Sequence, residues 1–487
     1  IIDTGRNAVA DARKQCKNWC NIRGAGVGLF ATTETADPDV IDAYFWLKTP
    51  GESDGCTGTL PSGAQCPRFD ADCASTDSLG SAAGEPRAPE AGQWFDYQIK
   101  QLAAHAKMSM SSKDSEASTT TAPVNHTMKV VGKPIINVGA ENPFAGKSFY
   151  VNPSYAASLG QSIATAEGQV KATLESMEDV PSAYWLDTKG KILGSGSNTM
   201  QGILADAASK SPPQLVTFIV YDLPNRDCHA KASNGEICCT YNVDGSCDYA
   251  KAGDCSAGLA EYKAEYIDKI VSLLKEYEGR VPIVLVIEPD SLPNLSTNHG
   301  DPRCGNSATV AAYKGGIQYA VQSIGAAAPS VAMYLDAGHG GWLGWKDNMK
   351  DYVATIRDLS VSSHLRGFAT NVAGYQALGQ MCPTYDFCLN NANPGHPCCA
   401  DPCGLTSQWN PSHNEHNYAL HLRKAMSEGI SGFVPHIIID TGRNGIADER
   451  SQCKNWCNIR GAGVGLFATT ETADPDVIDA YFWLKTP

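Results

Sequence analysis

Leu215-Val-Thr-Phe-Ile-Val-Tyr-Asp-Leu-Pro-Asn-Arg-Asp227 and Ile283-Val-Leu-Val-Ile-Glu-Pro-Asp290 decide the fold of this chain. Each opens with an unbroken apolar run and breaks off into acidic residues. A strand with one wet face would alternate, so an uninterrupted run reads as a strand buried on both faces. Similar runs occur at Ala183–Leu186, Val331–Leu335, Gly367–Val372, Val434–Ile439 and Gly463–Phe467. Helical periodicity fills Ser154–Ser176, Gly258–Tyr277, Thr309–Ile324 and Asn414–Met426. Buried strands alternating with helices predict an α/β fold with a parallel sheet. Seven or eight such runs favour closure into a distorted, TIM-like parallel β/α barrel. A further strand is expected at Ala43–Leu47, mirrored at Ala480–Leu484, and a helix at Gln93–His105.

In a barrel the C-terminal ends of the strands share one mouth. That rule gathers Asp222 and Asp227, Glu288 and Asp290, Asp336 and, after the strand at 43–47, Lys48, Glu52 and Asp54. One acid after a strand reads most simply as a cap for the next helix. A set of them with tryptophans nearby reads as a site.

Residues 1–50 recur as 438–487, offset by 437, with four differences: Ala8/Gly445, Val9/Ile446, Ala12/Glu449 and Lys14/Ser451. A period this long excludes a solenoid. It fits one module plus an overlap, cut from a parent with tandem modules. Residues 108–127 are poor in apolar residues and rich in Ser and Thr, as a linker would be. The expected organisation is the C-terminal part of one module over 1–107, a linker over 108–134, and over 135–487 the barrel body of the next, ending in the second copy.

The 487 residues are 43% hydrophobic, which excludes disorder for the bulk. No run is apolar over about 18 residues, so no membrane-spanning helix is expected. A net charge of −14 repels nucleic acid and anionic lipid and permits a neutral polymer. Eighteen cysteines among Pro, Gly, Asn and Asp, without zinc-knuckle spacing, predict disulfides and an oxidising, extracellular compartment. The opening Ile1-Ile2-Asp3 has no basic leader, so a signal peptide is expected to have been removed or the chain to be a fragment. Asn125-His-Thr127 and Asn294-Leu-Ser296 are glycosylation sequons.

Several strings together resemble glycoside hydrolase family 6, the cellobiohydrolases and endoglucanases acting on cellulose. They are Tyr184-Trp-Leu-Asp-Thr188, Val220-Tyr-Asp-Leu-Pro-Asn-Arg-Asp-Cys228, Ile287-Glu-Pro-Asp-Ser291, and Met333 to Trp345 with its Asp336-Ala-Gly-His-Gly-Gly-Trp342. To these add Ala369-Thr-Asn-Val372, Asn455-Trp-Cys-Asn458 (also Asn18–Asn21), and Phe45-Trp-Leu-Lys48 before Gly51-Glu-Ser-Asp-Gly55. The family's C-terminal part precedes its body here, as the tandem reading predicts.

The resemblance implies secreted inverting hydrolysis of β-1,4-glucosidic bonds, without metal or cofactor. Asp290 matches the general acid and Asp227 the aspartate that raises its pKa. Tyr221 matches the tyrosine crowding the distorted sugar, Ser233 the serine holding the attacking water, and Asp54 the residue proposed as base. Trp185, Trp342, Trp345 and Trp19 or Trp456 match sugar platforms. Asp187, Arg226, Asp336, His339, Asn371, Lys48 and Glu52 are the expected binding neighbours, with Arg226 paired to one of the carboxylates. Trp46 and Trp483, on a strand, read as core. The family pattern pairs Cys228 with Cys304, and Cys20 or Cys457 with Cys73. Long cysteine-rich loops at 49–89, after Cys228 and at 382–403 favour a roofed tunnel and release of cellobiose from chain ends. Two alternatives stand beside this: an endo-acting glucanase, and a cellulose binder that does not cleave. Asp54 reaches the body only if the head segment docks on it, in the same chain or by swapping, and residues 1–50 and 438–487 then compete for one place.

Overall fold

The computed structural model describes residues 2–6, 8–9, 12, 19–29, 41, 43–46, 48–106, 141–230, 233–447, 450, 455, 459 and 461–486. Strands β1 (Ile2–Asp3) and β2 (Tyr44–Phe45) pair with each other in parallel. The main sheet has seven parallel strands, each beside the next in sequence. They are β3 (Tyr184–Leu186), β4 (Val216–Val220), β5 (Ile283–Ile287), β6 (Ala332–Asp336), β7 (Gly367–Thr370), β8 (His436–Asp440) and β9 (Ile478–Phe482). Every residue of β4, β5 and β6 is buried, as their unbroken apolar runs require. The sheet curls as a barrel does, but among the described residues no ladder joins β3 to β9. Side chains bridge that gap instead: Trp185 Nε1 donates to the Leu484 carbonyl at 3.0 Å.

Two expected elements differ. The helix read over Ser154–Ser176 is two, Pro153–Ile163 and Gly168–Met177. The break falls where Gly168 takes φ +56°, which a helix interior does not allow. Gly463–Phe467 is not a strand. Its backbone is bonded sideways, Gly465 N–H to the Thr441 carbonyl at 2.9 Å and Gly445 N–H to the Gly463 carbonyl at 2.9 Å.

The helices do more than cover the sheet. Several fully buried tyrosines send their hydroxyls to the C-terminal ends of strands. Tyr352 donates to the Asp336 carbonyl at 2.6 Å, Tyr418 to Ala337 at 2.5 Å, Tyr313 to Asn225 at 2.8 Å, and Tyr266 to Leu186. A buried phenol needs a partner, and these partners are the loops at the barrel's mouth. Packing of the core thereby fixes those loops.

Disulfides pin the long surface loops: Cys20–Cys73, Cys56–Cys66, Cys228–Cys304, Cys238–Cys247, Cys239–Cys255, Cys382–Cys398 and Cys388–Cys399. The Cys228–Cys304 pair and the Cys20 choice for Cys73 are those the family pattern implies; Cys457 lies outside the described residues. Of the two sequons, Asn125 lies outside the described residues. Asn294 is buried in the helix Ser291–Thr297 and its amide donates to the Asp290 carbonyl at 2.5 Å, so it offers no acceptor for a glycan.

Candidate active site

A cavity of about 300 Å³ opens at the C-terminal ends of the strands. Asp227 and Ser233 line it from the loop after β4, Asp290 and Asn294 from the segment after β5, and His339 and Trp342 from that after β6. Trp19 enters from the head segment, and Arg443 and Lys485 from the second copy of the repeat.

The acids are held in strained backbone. Asn225, Asp227, Glu288 and Asp290 all take positive φ, between +49° and +63°. Non-glycine residues accept that conformation only where the surroundings over-determine it. Glu288 supplies part of that determination. Fully buried, its carboxylate accepts from the backbone N–H of Asp222 (3.2 Å) and Leu223 (3.3 Å) and from the Tyr262 hydroxyl (2.8 Å). The turns after β4 and β5 are thus tied together, which sets Asp227 relative to Asp290.

Asp290 is raised in pKa like the buried Glu288 and Glu415, but unlike them it lines the cavity. Burial first, and then the neighbouring Asp227 charge, push its carboxyl up to about 7. Lys485 and Arg443 oppose the shift. Its backbone N–H donates to Asp336 Oδ2 at 3.0 Å. Asp336 is itself raised well above the ordinary range, by burial and by Asp290. Asp227 is raised by burial, against hydrogen bonds from the Ser233 and Ala230 N–H groups at 3.2 and 3.3 Å. The cavity therefore holds a carboxylic acid that keeps its proton at mildly acidic pH, which is what a general acid needs.

Asp54 has the opposite environment. Its carboxylate is fully buried among four cations: Lys485 at 2.7 Å, Arg6 at 3.0 Å, Arg443 at 3.3 Å and Lys48 at 3.9 Å. Burial alone would raise its pKa, but Arg6, Lys485, Arg443 and Lys48 hold it far below the usual carboxylate range. Such a group is a permanent anion and a weak proton acceptor. The cavity lining includes Lys485 and Arg443 but not Asp54, Lys48 or Glu52.

The other expected residues divide. Trp342 lines the cavity with Nε1 donating to Thr297 Oγ1 at 2.8 Å, and its ring lies 6.0 Å from that of His339. Tyr221 stands edge-on to Trp185 at 5.0 Å, and neither is in the cavity lining. Arg226 does not pair with Asp227 or Asp290. It is buried, 3.3 Å from Asp222, stacked over the Tyr221 ring at 4.3 Å, with its donors on the carbonyls of Ser233 (2.9 Å) and Asp187 (2.7 Å). The Asp187 carboxylate pairs with Lys191 at 2.7 Å. Trp345 stands before the helix Lys346–Leu359, outside the cavity lining, with Nε1 on the Gln408 carbonyl at 3.2 Å. Asn371 is fully buried behind the wall, its amide donating to the Asp440 carbonyl at 2.7 Å; the residues that reach the cavity there are Val372, Ala373 and Gly374. Trp456 lies outside the described residues. Trp46 and Trp483 are core.

Sequence reasoning missed Arg443, Lys485, Arg450, Asn294 and Asn298 in the lining. A signal existed for Arg443, because it follows β8 in Asp440-Thr-Gly-Arg443 as the other polar groups follow their strands. Trp342 gives a direct test. Trp342→Ala is expected to raise KM about tenfold for a soluble oligosaccharide of the kind the family resemblance implies, about 1.4 kcal/mol of binding, with a smaller change in kcat. Steady-state kinetics on the soluble oligosaccharide measures it.

A curled parallel sheet with acidic groups and tryptophan at the C-terminal mouth defines an α/β barrel hydrolase. The chain belongs to the glycosyl hydrolases family 6, whose model matches residues 1–106 and 144–487. It is similar to Exoglucanase 3 of Agaricus bisporus, 39% identical over 352 residues, covering 71% of this chain and 69% of the relative. It is also similar to 1,4-beta-D-glucan cellobiohydrolase C of Emericella nidulans, 38% identical over 362 residues, covering 71% and 68%. Among solved structures, the catalytic core of the cellobiohydrolase Cel6A from Chaetomium thermophilum matches with TM-score 0.56 and 32% identity, over 71% of this chain and 86% of that one. The CcCel6A catalytic domain complexed with p-nitrophenyl beta-D-cellotrioside matches with TM-score 0.56 and 33% identity, over 71% and 85%.

Proposed function

We propose that this chain cleaves β-1,4-glucosidic bonds of cellulose with inversion at the anomeric carbon, releasing cellobiose from chain ends. The carrying observation is Asp290, a buried carboxyl pushed up to about 7 beside Asp227 in a cavity that also presents Trp342. Asp290 protonates the leaving glycosidic oxygen. Asp227 keeps that proton in place at working pH and faces the positive charge that develops at the anomeric carbon. Ser233, whose N–H donates to Asp227, orients the attacking water; as that water bonds to the anomeric carbon its proton leaves to solvent, and Asp290 regains a proton from solvent before the next turn. Asp54, ionised and enclosed, fixes the cations at the cavity wall.

The names of the relatives support cellulose as substrate and cellobiose as product. Disulfide-pinned loops support a covered cleft and an extracellular setting. Among the described residues no helix is long and apolar enough to cross a membrane.

Proton NMR of the chain with cellotetraose tests the reading. The α-anomer of cellobiose is expected first. Initial β-anomer would overturn inversion, and binding without any product would leave only a cellulose-binding role. On a soluble cellulose derivative, viscosity is expected to fall slowly relative to sugar release; a rapid fall would identify internal cleavage.

A further inference from the structure

The segment from Asp401 to Ser412 joins the cysteine-rich loop to the helix Glu415–Gly429. It contributes no residue to the cavity lining, yet it is closely fixed. The Asp401 carboxylate accepts from the Thr406 N–H at 2.7 Å and from its hydroxyl at 2.9 Å, and the Gln408 amide donates to the Gly404 carbonyl at 3.2 Å. Asn410 and Ser412, both fully buried, lie against the short helix Gly340–Leu343, which carries Trp342, and against Gly344 after it. The Asn410 amide donates to the Gly340 carbonyl at 2.9 Å, and a Cβ on Gly344 would strike the side chains of both Asn410 and Ser412. His413 Nε2 lies 2.8 Å from the carbonyl of Cys398, itself bonded to Cys382.

Between these anchors Trp409 is left open. It is 68% exposed, while among the described residues every other tryptophan is buried or half-buried. Its φ is +63°, a conformation that suits glycine or asparagine and strains a bulky side chain. Strain of this kind persists where the surroundings impose it and points towards function. A single exposed ring is ordinary by itself; the place of this one sets it apart. The peptide unit that joins Gln408 to Trp409 is held by Trp345, whose Nε1 donates to the Gln408 carbonyl at 3.2 Å. Trp345 stands three residues beyond Trp342. Trp342 lines the cavity, Trp345 is half-buried outside it, and Trp409 faces solvent. Three indoles, tied to one another through a short helix and a fixed loop, thus lead outward from the cavity.

We propose that Trp409 is a further sugar platform. It receives a glucose unit of a β-1,4-glucan chain that extends past Trp345, and so favours long, cellulose-like chains over short oligosaccharides. The face of an indole is flat, apolar and uncharged, which suits the C–H face of a neutral sugar. The occupant is a glucan and not a second copy of this chain, because the ring continues a row that begins in the cavity. The inference deepens the proposed function and rests on it.

The test compares Trp409→Gly, Trp409→Tyr and the unchanged chain. Glycine accepts φ +63° without strain, so Trp409→Gly is expected to melt no lower than the unchanged chain. The readout is the ratio of cellobiose release from microcrystalline cellulose to turnover of cellotetraose. Trp409→Gly is expected to lower that ratio about fivefold, and Trp409→Tyr to keep it within about twofold. An unchanged ratio in Trp409→Gly overturns the platform, and so does equal loss on both substrates, which marks a structural role. A dimer seen in sedimentation of the unchanged chain and dissolved by Trp409→Gly would give the ring to a second copy and overturn it as well. If the unchanged chain cleaves neither substrate, the proposed function fails on its own. Adsorption to the same cellulose then decides the platform: about fivefold weaker binding of Trp409→Gly supports it, and equal binding overturns it.

Discussion

Asp290→Asn is expected to abolish most turnover while leaving binding intact. The amide keeps the shape of the carboxyl but has no proton to give the leaving oxygen. Loss of a general acid typically costs between about 10² and 10⁴ in rate. We expect kcat on cellotetraose to fall about 10³-fold and the dissociation constant, followed by tryptophan fluorescence, to stay within about twofold. Retention of near-normal kcat would remove Asp290 from the role of acid. In the unchanged chain, kcat is expected to fall as pH rises through about 7, where Asp290 loses its proton.

The same substitution has a signed effect on stability. The folded pKa of Asp290 lies above that of an exposed aspartate, 3.8. Between those two values the unfolded chain ionises and the folded one does not, so the native state loses stability as pH rises through that window. Asparagine carries no such penalty. The variant is therefore expected to melt higher than the unchanged chain at pH 7 and nearly alike at pH 4, the pattern of a site that trades stability for function.

Much of this was legible in the sequence because buried parallel strands announce themselves. The runs at 215–220 and 283–287 have no polar interruption, and the barrel rule then carried Asp227, Asp290, Asp336 and His339 to one mouth. Glycines and neighbours, rather than apolar pattern, decided what was misread. Gly463–Phe467 has strand-like composition, yet its backbone bonds run to Thr441 and Gly445 and not into the ladder of a neighbouring strand. Asn371 carries a family motif but is fully buried, and Val372 to Gly374 reach the cavity in its place. The repeat also hid Arg443 and Lys485. Lys48 and Lys485 sit in the same local sequence, and only the three-dimensional surroundings separate them.

Those surroundings make Asp54 the most consequential charge in the chain for stability. Arg6, Arg443, Lys48 and Lys485 converge on one buried carboxylate. Removing one partner of a buried ion pair strands the other, at about 3–5 kcal/mol; here four cations would be left facing each other. Asp54→Ala is expected to destabilise the chain by at least about 3 kcal/mol in urea denaturation under non-reducing conditions. Asp54→Asn should do nearly as badly, since it restores the shape and not the charge. The loss should also be partly relieved by removing a stranded cation: Asp54→Ala combined with Arg6→Met is expected to be more stable than Asp54→Ala alone. Simple additivity of the two changes would mean that Arg6 and Asp54 do not interact. Because Asp54 is held far below the ordinary range by those cations, its contribution is present above the unfolded pKa near 3.8 and wanes only as pH falls towards its folded value. The difference between the unchanged chain and Asp54→Asn should therefore persist at pH 5 and shrink only in stronger acid.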